Sequence, residues 1–187
     1  KVKRVVIAQK DPNPIVNGKG ISKLRDAGVI IESGERSSDA IEIIEAYSKF
    51  INYKIPFLTA KFAMSLDGKI ATDTGKSKWI SSIASRKFVH SMRGKSDALM
   101  VGINTVLKDN PLLTNRYQLE NIIQQPLRII IDSHARTPLN SKLLNQPGET
   151  LIFVANPKDK TCNDLIKNGA KIVKIPGENN KVDLVNV

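Results

Sequence analysis

Two arginines 23 positions apart, Arg93 and Arg116, and a serine in a glycine-bounded polar loop, Ser77, are residue types that hold phosphate. A guanidinium fork matches phosphate oxygens, and a hydroxyl adds a third donor. Arg93 alone also reads as a cation complementing a helix C-terminus. In the stretch "GINTVLKDNPLLTNR" (102–116), Gly102 lets backbone approach a neighbour closely, and Thr105 and Asp109 lie four apart on one helical face. Trp79, the only tryptophan, ends the polar loop 72–78. It reads either as a buried pin beneath a surface loop or as a ligand wall, whose flat apolar face suits a nicotinamide or pyrimidine ring. In "IDSHAR" (131–136), Ser133 and Arg136 follow a strand, where open α/β sheets bind ligands; they are candidates for a ribose or its phosphate, or members of a plain loop.

Other chemistries find little support. His90 and His134 have no Cys or His partners at metal spacing, so satisfied or exposed histidines are the favoured reading. Cys162 is the one cysteine, which excludes an internal disulfide and a Cys-rich zinc site and fits a reducing cytoplasm. Walker A, GxGxxG, GxSxG and HExxH patterns are absent.

Elements that would position these residues can be read from periodicity. "RVVIAQ" (4–9) and "VIIE" (29–32) predict buried strands, with the turn "DPNP" (11–14) and a helix over 21–28, closed by Gly28, between them. Ser38 is expected to cap a helix over 39–50, and 51–56 to link two units. "FLTAKFAMS" (57–65) predicts a strand turned at Asp67-Gly68 into 69–71. A helix from near Ser82 to Gly94, a strand over 97–102, a helical turn at 104–108, strands over 127–132, 150–155 and 171–175, and a helix over 163–168 follow. Residues 182–187 read as the start of a further helix, and neither end reads as a natural terminus. The alternation predicts an α/β fold.

The formal charge of +11 raises nucleic acid as a partner, but the lysines are scattered and few aromatics lie between them, so phosphorylated small molecules fit better. At 41% hydrophobic and 25% charged residues the composition is that of a globular protein, and no apolar run approaches the roughly 18 residues of a membrane span.

Taken together and in order, "KFAMSLDGKIA", "GKSKWIS", "DALMVGINTVLKDNPLLTNR" and "RIIIDS" resemble the reductase domain of the bifunctional riboflavin-biosynthesis deaminase/reductase family, and residues 5–34 resemble the end of its deaminase domain. The resemblance implies a dihydrofolate-reductase-like reductase domain over 57–187, C-terminally incomplete. A remnant of a cytidine-deaminase-like α/β domain over 1–50 and a linker at 51–56 would precede it. It implies NADPH-dependent reduction of 5-amino-6-(5-phosphoribosylamino)uracil to the ribityl product. In the whole family protein, the deaminase half acts on diaminohydroxyphosphoribosylaminopyrimidine. By motif position, Ala63, Trp79, Thr105, Asp109 and Ser133 would contact NADP; Ser77, Arg93, Leu113 and Arg116 would contact substrate; and Lys61 would face the reacting sugar as the catalytic residue. The deaminase zinc motifs, H-x-E and P-C-x-x-C, are absent, so zinc would belong only to a deaminase part missing from this chain. The family's later Glu-Gly-Gly or Glu-Gly-Pro segment, whose backbone would hold the cofactor diphosphate, is also absent.

The expected partners are a small phosphoribosyl-pyrimidine and further copies of the chain as a homo-oligomer, with no nucleic acid and no membrane, in the cytoplasm. Two alternatives stand beside this reading: a stand-alone pyrimidine or pterin reductase of the same fold, and a non-enzymatic basic module that binds nucleotides or nucleic acid.

Overall fold

The computed structural model describes residues 2–116 and 125–187. The chain divides into two compact units, residues 1–62 and 63–187. Among the described residues no helix is long and apolar enough to cross a membrane.

In the first unit, strands β1 (Arg4–Ile7) and β2 (Ile30–Ser33) pair in parallel, with Arg4 opposite Ile30 and Ile7 opposite Ser33. Parallel pairing needs a crossover, which the turn at 11–18 and helix α1 (Lys19–Asp26) provide. Gly28, at φ 75°, closes α1 as expected. Asp11 anchors the preceding turn: its Oδ1 accepts from the Asn13 amide at 2.9 Å and from the Tyr47 hydroxyl at 3.1 Å. Helix α2 spans Ser37–Tyr53, longer than the expected 39–50, and therefore takes in the first half of the expected linker at 51–56. It is not capped by Ser38. Arg36 takes the cap position with left-handed backbone, and its Nε donates to Asp39 at 2.8 Å, which fixes the first turn from outside.

Ladders are missing where a hairpin was expected. Residues 57–65 and 69–71 form no strand: among the described residues they make no ladder, only the bonds of the turn. The turn itself is present. The amides of Ser65 and Gly68 donate to the Lys69 and Ser65 carbonyls, each at 2.9 Å, with Gly68 at φ 80°. The same arrangement recurs seven residues on, with Thr72, Gly75 and Lys76 in the equivalent places.

The rest of the second unit is a four-stranded parallel sheet, β3 (Ala98–Gly102), β4 (Leu127–Ile131), β5 (Thr150–Val154) and β6 (Ala170–Lys174), in that order. Helix α3 (Ile83–Gly94) precedes it, with Ser82 as a true N-cap whose hydroxyl accepts from the Ser85 amide at 3.1 Å. Helix α4 (Ile103–Asp109) leaves β3 directly, and α5 (Asp159–Lys167) packs on β6. α5 begins four residues before the expected 163. Ile130, Ile152, Val154, Leu143 and Leu165 are fully buried and join Ile103, Val106 and Leu113 in the core. Apolar side chains on these central strands are shielded from water, as in sheets with both faces covered. Residues 182–187 are not helical. Val182 makes an antiparallel bridge to Pro176, and Asp183 caps a turn by accepting from the Val185 amide at 2.9 Å.

Candidate functional site

Helix α3 carries His90 and Arg93 three residues apart, hence on one face. The segment after α4 crosses this face. Arg93 Nη1 donates to the Thr114 carbonyl at 3.2 Å. The Arg116 amide donates to His90 Nδ1 at 3.4 Å, and Arg116 Nη2 lies 3.2 Å from His90 Nε2. Gly94 leaves room for the Asn115 side chain: a Cβ there would sit 2.7 Å from Asn115 Nδ2, so that side chain would have to shift. Asn115 is locked in turn by Gln125, which accepts from its backbone N–H at 2.8 Å and donates to its carbonyl at 3.0 Å.

The electrostatics of this cluster are unusual. His90 is only 5% exposed. Burial, then the charges of Arg93 and Arg116, push its pKa below the ordinary histidine value. Burial, then Arg116, also lower the pKa of Arg93. Among the described residues, neither arginine forms an ion pair with a carboxylate. Two cationic side chains in one cluster, with no carboxylate partner among the described residues, are an arrangement that suits an anion. Leu113, at the entry to the crossing segment, is buried yet has φ 51°. A bulky residue there stores about 1–3 kcal/mol of backbone strain, a cost typical of functional segments. The sheet and core thus bring together Arg93, Leu113 and Arg116, three of the four expected substrate residues. His90 is the member that sequence reasoning set aside. Its place three residues before Arg93 on a helix was the available signal.

The carboxyl ends of β3 and β4 present a second group. Thr105 and Asp109 are exposed on α4, one turn apart. The Ser133 hydroxyl accepts from the Val182 amide at 3.0 Å, which leaves its hydrogen as a donor, and the Ser133 carbonyl accepts from the amides of Ala155 and Asn156. Beside it, Asp132 is fully buried and fixes the loop: its Oδ2 accepts from both the amide and the hydroxyl of Thr137 at 2.7 Å. Arg136 from that loop donates to Asn104 on α4 at 3.3 Å, so the Ser133 loop and α4 meet.

Trp79 is 72% exposed, which overturns the buried-pin reading. The Arg86 guanidinium lies over its ring, 4.4 Å from the centroid, and the Lys78–Trp79 peptide bond is cis. Ser77 and Ala63 are half-buried, and Lys61 is exposed and belongs to the first unit. None of these four shares a hydrogen bond with the arginine cluster or the Ser133 loop among the described residues. Nor do the described residues contain a group of three or more His, Cys, Asp or Glu able to hold a metal ion.

Comparison with known proteins places this geometry. The RibD C-terminal domain family matches residues 56–187. The riboflavin biosynthesis protein RibD of Aquifex aeolicus is 41% identical over 96% of this chain and 50% of its own length. That of Actinobacillus pleuropneumoniae is 37% identical over 98% of this chain and 48% of its own. The chain thus spans about half the length of the curated relatives it matches. Among solved structures, Acinetobacter baumannii RibD superposes with a TM-score of 0.77 at 34% identity, covering 95% of this chain and 49% of that one. A Thermotoga maritima diaminohydroxyphosphoribosylaminopyrimidine deaminase/5-amino-6-(5-phosphoribosylamino)uracil reductase gives 0.74 at 29% identity, covering 95% and 55%. The expected dihydrofolate-reductase-like α/β fold agrees with these neighbours. With one family description covering the whole parallel sheet and both groups of site residues, this chain belongs to the RibD C-terminal domain family.

Proposed function

We propose that residues from about 57 onward form the reductase portion of a riboflavin-biosynthesis enzyme, reducing 5-amino-6-(5-phosphoribosylamino)uracil with NADPH. The observation that carries this reading is the pair Arg93 and Arg116, drawn together around a buried imidazole with no carboxylate partner among the described residues. A phosphate monoester is a dianion near neutral pH, and such a pair is its complement. In this reading the 5′-phosphate binds there, Leu113 packs beside it, and Ser77 supplies a hydroxyl.

The residues present fit a dinucleotide. Trp79 has one ring face covered by Arg86 and offers the rest to a flat heterocycle. Thr105, Asp109 and Ser133 offer hydroxyl and carboxylate groups to ribose at the carboxyl ends of parallel strands, where such ligands bind. Ala63, small and half-buried, admits close approach. The nicotinamide, when bound, supplies a hydride to C1′ of the opened sugar. The protein's part is to anchor the phosphate and orient the sugar, and Lys61 is the catalytic residue of this reading. Residues 1–50 are the end of a deaminase domain in this reading. Having neither zinc motif, they contribute no deaminase chemistry, and zinc belongs to ligands outside this chain. The enzyme is cytoplasmic and homo-oligomeric, with a small phosphoribosyl-pyrimidine as its partner.

The test uses a protein of the relatives' full length that carries this segment. NADPH oxidation is followed with the phosphorylated substrate and with its dephosphorylated form. Arg93→Ala and Arg116→Ala each lower kcat/KM for the phosphorylated substrate by roughly ten- to a hundredfold, since bonds to charged groups are worth about 1.5–3 kcal/mol. NADPH affinity stays within about twofold, because the arginines belong to the other group of residues. Mutants that still prefer the phosphorylated substrate as strongly as wild type would overturn the assignment.

A further inference from the structure

Resting on the phosphate reading above, we infer that His90 is a positioning residue of the anion site: its imidazole fixes the Arg116 guanidinium beside Arg93 without neutralising it. Both ring nitrogens face donors of Arg116, the backbone N–H at 3.4 Å and Nη2 at 3.2 Å. A neutral imidazole offers one of them a lone pair, so either tautomer ties the ring to Arg116. A charged ring has no lone pair for either contact and adds a third cation to the cluster.

The choice of side chain carries the inference. A flexible arginine must lose rotamer freedom to bind in one pose, and a prior contact removes part of that cost. The usual partner for a buried guanidinium is a carboxylate. Here a carboxylate would hold Arg116 equally well, but it would cancel the charge that recognises the ligand and repel an incoming dianion. A neutral acceptor gives the orientation and keeps the charge. The remaining contacts agree. Among the described residues, Arg93 is steadied by a backbone carbonyl, that of Thr114, and not by an acid. Among the described residues, both arginines are therefore oriented by groups with no net charge. His90 is 5% exposed, so its role is to hold Arg116 from beneath and not to meet the ligand from solvent.

The test separates acceptor, charge and volume at one position, in the chain as it stands, with ribose 5-phosphate as the probe and ribose as its control. Affinity is measured by calorimetry, and the order of the Arg116 side chain by NMR relaxation. His90→Gln retains a neutral acceptor and binds within about threefold of wild type. His90→Leu removes the acceptor and weakens binding about tenfold or more, with a mobile Arg116 side chain. His90→Glu keeps Arg116 ordered yet weakens binding at least as much as leucine does, because the charge is cancelled. A role confined to filling the core would instead rank the three variants by thermal stability and leave affinity at wild type in every folded protein; that outcome overturns the inference. Arg93→Ala and Arg116→Ala mark the other failure. If neither weakens ribose 5-phosphate binding, or if wild type binds it no better than ribose, the phosphate reading itself falls and the inference with it. If they weaken it and His90→Glu does not, the phosphate site stands and only the role of His90 is lost.

Discussion

Replacing Arg128 by alanine is expected to lower the stability of the second unit by about 3 kcal/mol. Arg128 is 1% exposed on β4 and has no acidic partner among the described residues. Its Nε donates to the Thr150 hydroxyl at 2.9 Å, and its terminal nitrogens to the carbonyls of Pro147 at 2.7 Å, Gln146 at 3.1 Å and Gly148. One side chain thus closes the turn that feeds β5. Burial lowers its pKa, a sign of the desolvation that the four bonds must offset. At about 1.5–3 kcal/mol each, the bonds outweigh an effective desolvation penalty of several kcal/mol. On truncation the carbonyls of Pro147 and Gly148, in exposed residues, take water, whereas buried Thr150 must find another partner, which keeps the net loss near the figure above. For a unit of this size the melting temperature should fall by about 10–15 °C. Lysine keeps the charge but cannot span three carbonyls and a hydroxyl, so Arg128→Lys should lose about 2 kcal/mol. Arg128→Met retains the buried stem and isolates the bonding. Thermal and urea unfolding by circular dichroism measure the loss, and hydrogen exchange of the β4 and β5 amides assigns it to this unit. If Arg128→Met is as stable as wild type, desolvation cancels the four bonds and the reasoning fails.

Three further outcomes follow from the same structure. Gly148→Ala should cost about 2 kcal/mol in urea unfolding, since Gly148 has φ 92° and a Cβ would lie 2.9 Å from Gln125 Cβ. Burial holds the Cys162 thiol above its usual pKa, so alkylation should be at least about a hundredfold slower in the native protein than in urea, and Cys162→Ser in a full-length enzyme should keep turnover within about twofold. Because the folded pKa of His90 lies below its ordinary value of 6.5, its contribution is fully present above that value, is lost as pH falls from there through the folded pKa, and levels off below it; His90→Gln should abolish this part of the pH dependence of melting temperature.

Much of the sheet was legible because its strands are short, β-branched and bounded by glycine or proline, as "LRIII" and "TLIFV" show. The same local signals misled at 57–65, where an apolar run was read as a strand although a strand exists only with a partner to bond. Ser38 failed as a cap because cap identity depends on where the first turn begins, and the Arg36–Asp39 contact moved that point. At the candidate site, the arginines were legible as residue types suited to phosphate, but their gathering into one cluster was not. It goes with Leu113 adopting a left-handed conformation that no propensity would assign it, and with a glycine at 94 that leaves the Asn115 side chain its place. His90 is a satisfied histidine, as its lack of Cys or His neighbours suggested, but that its partner is Arg116 depends on a contact 26 residues apart that spacing does not show.

The exposed indole of Trp79 also has an optical consequence. As the only tryptophan in the chain, it makes the long-wavelength emission of the protein a report from one point. Its excited state is sensitive to the guanidinium 4.4 Å above the ring, and anything that displaces Arg86 will change the spectrum. A reduced nicotinamide absorbs where indole emits. Under the proposed cofactor site, its arrival against the open face would quench that emission by energy transfer, a readout of occupancy without a label or turnover. The same signal is blind to the first unit, which contains no tryptophan.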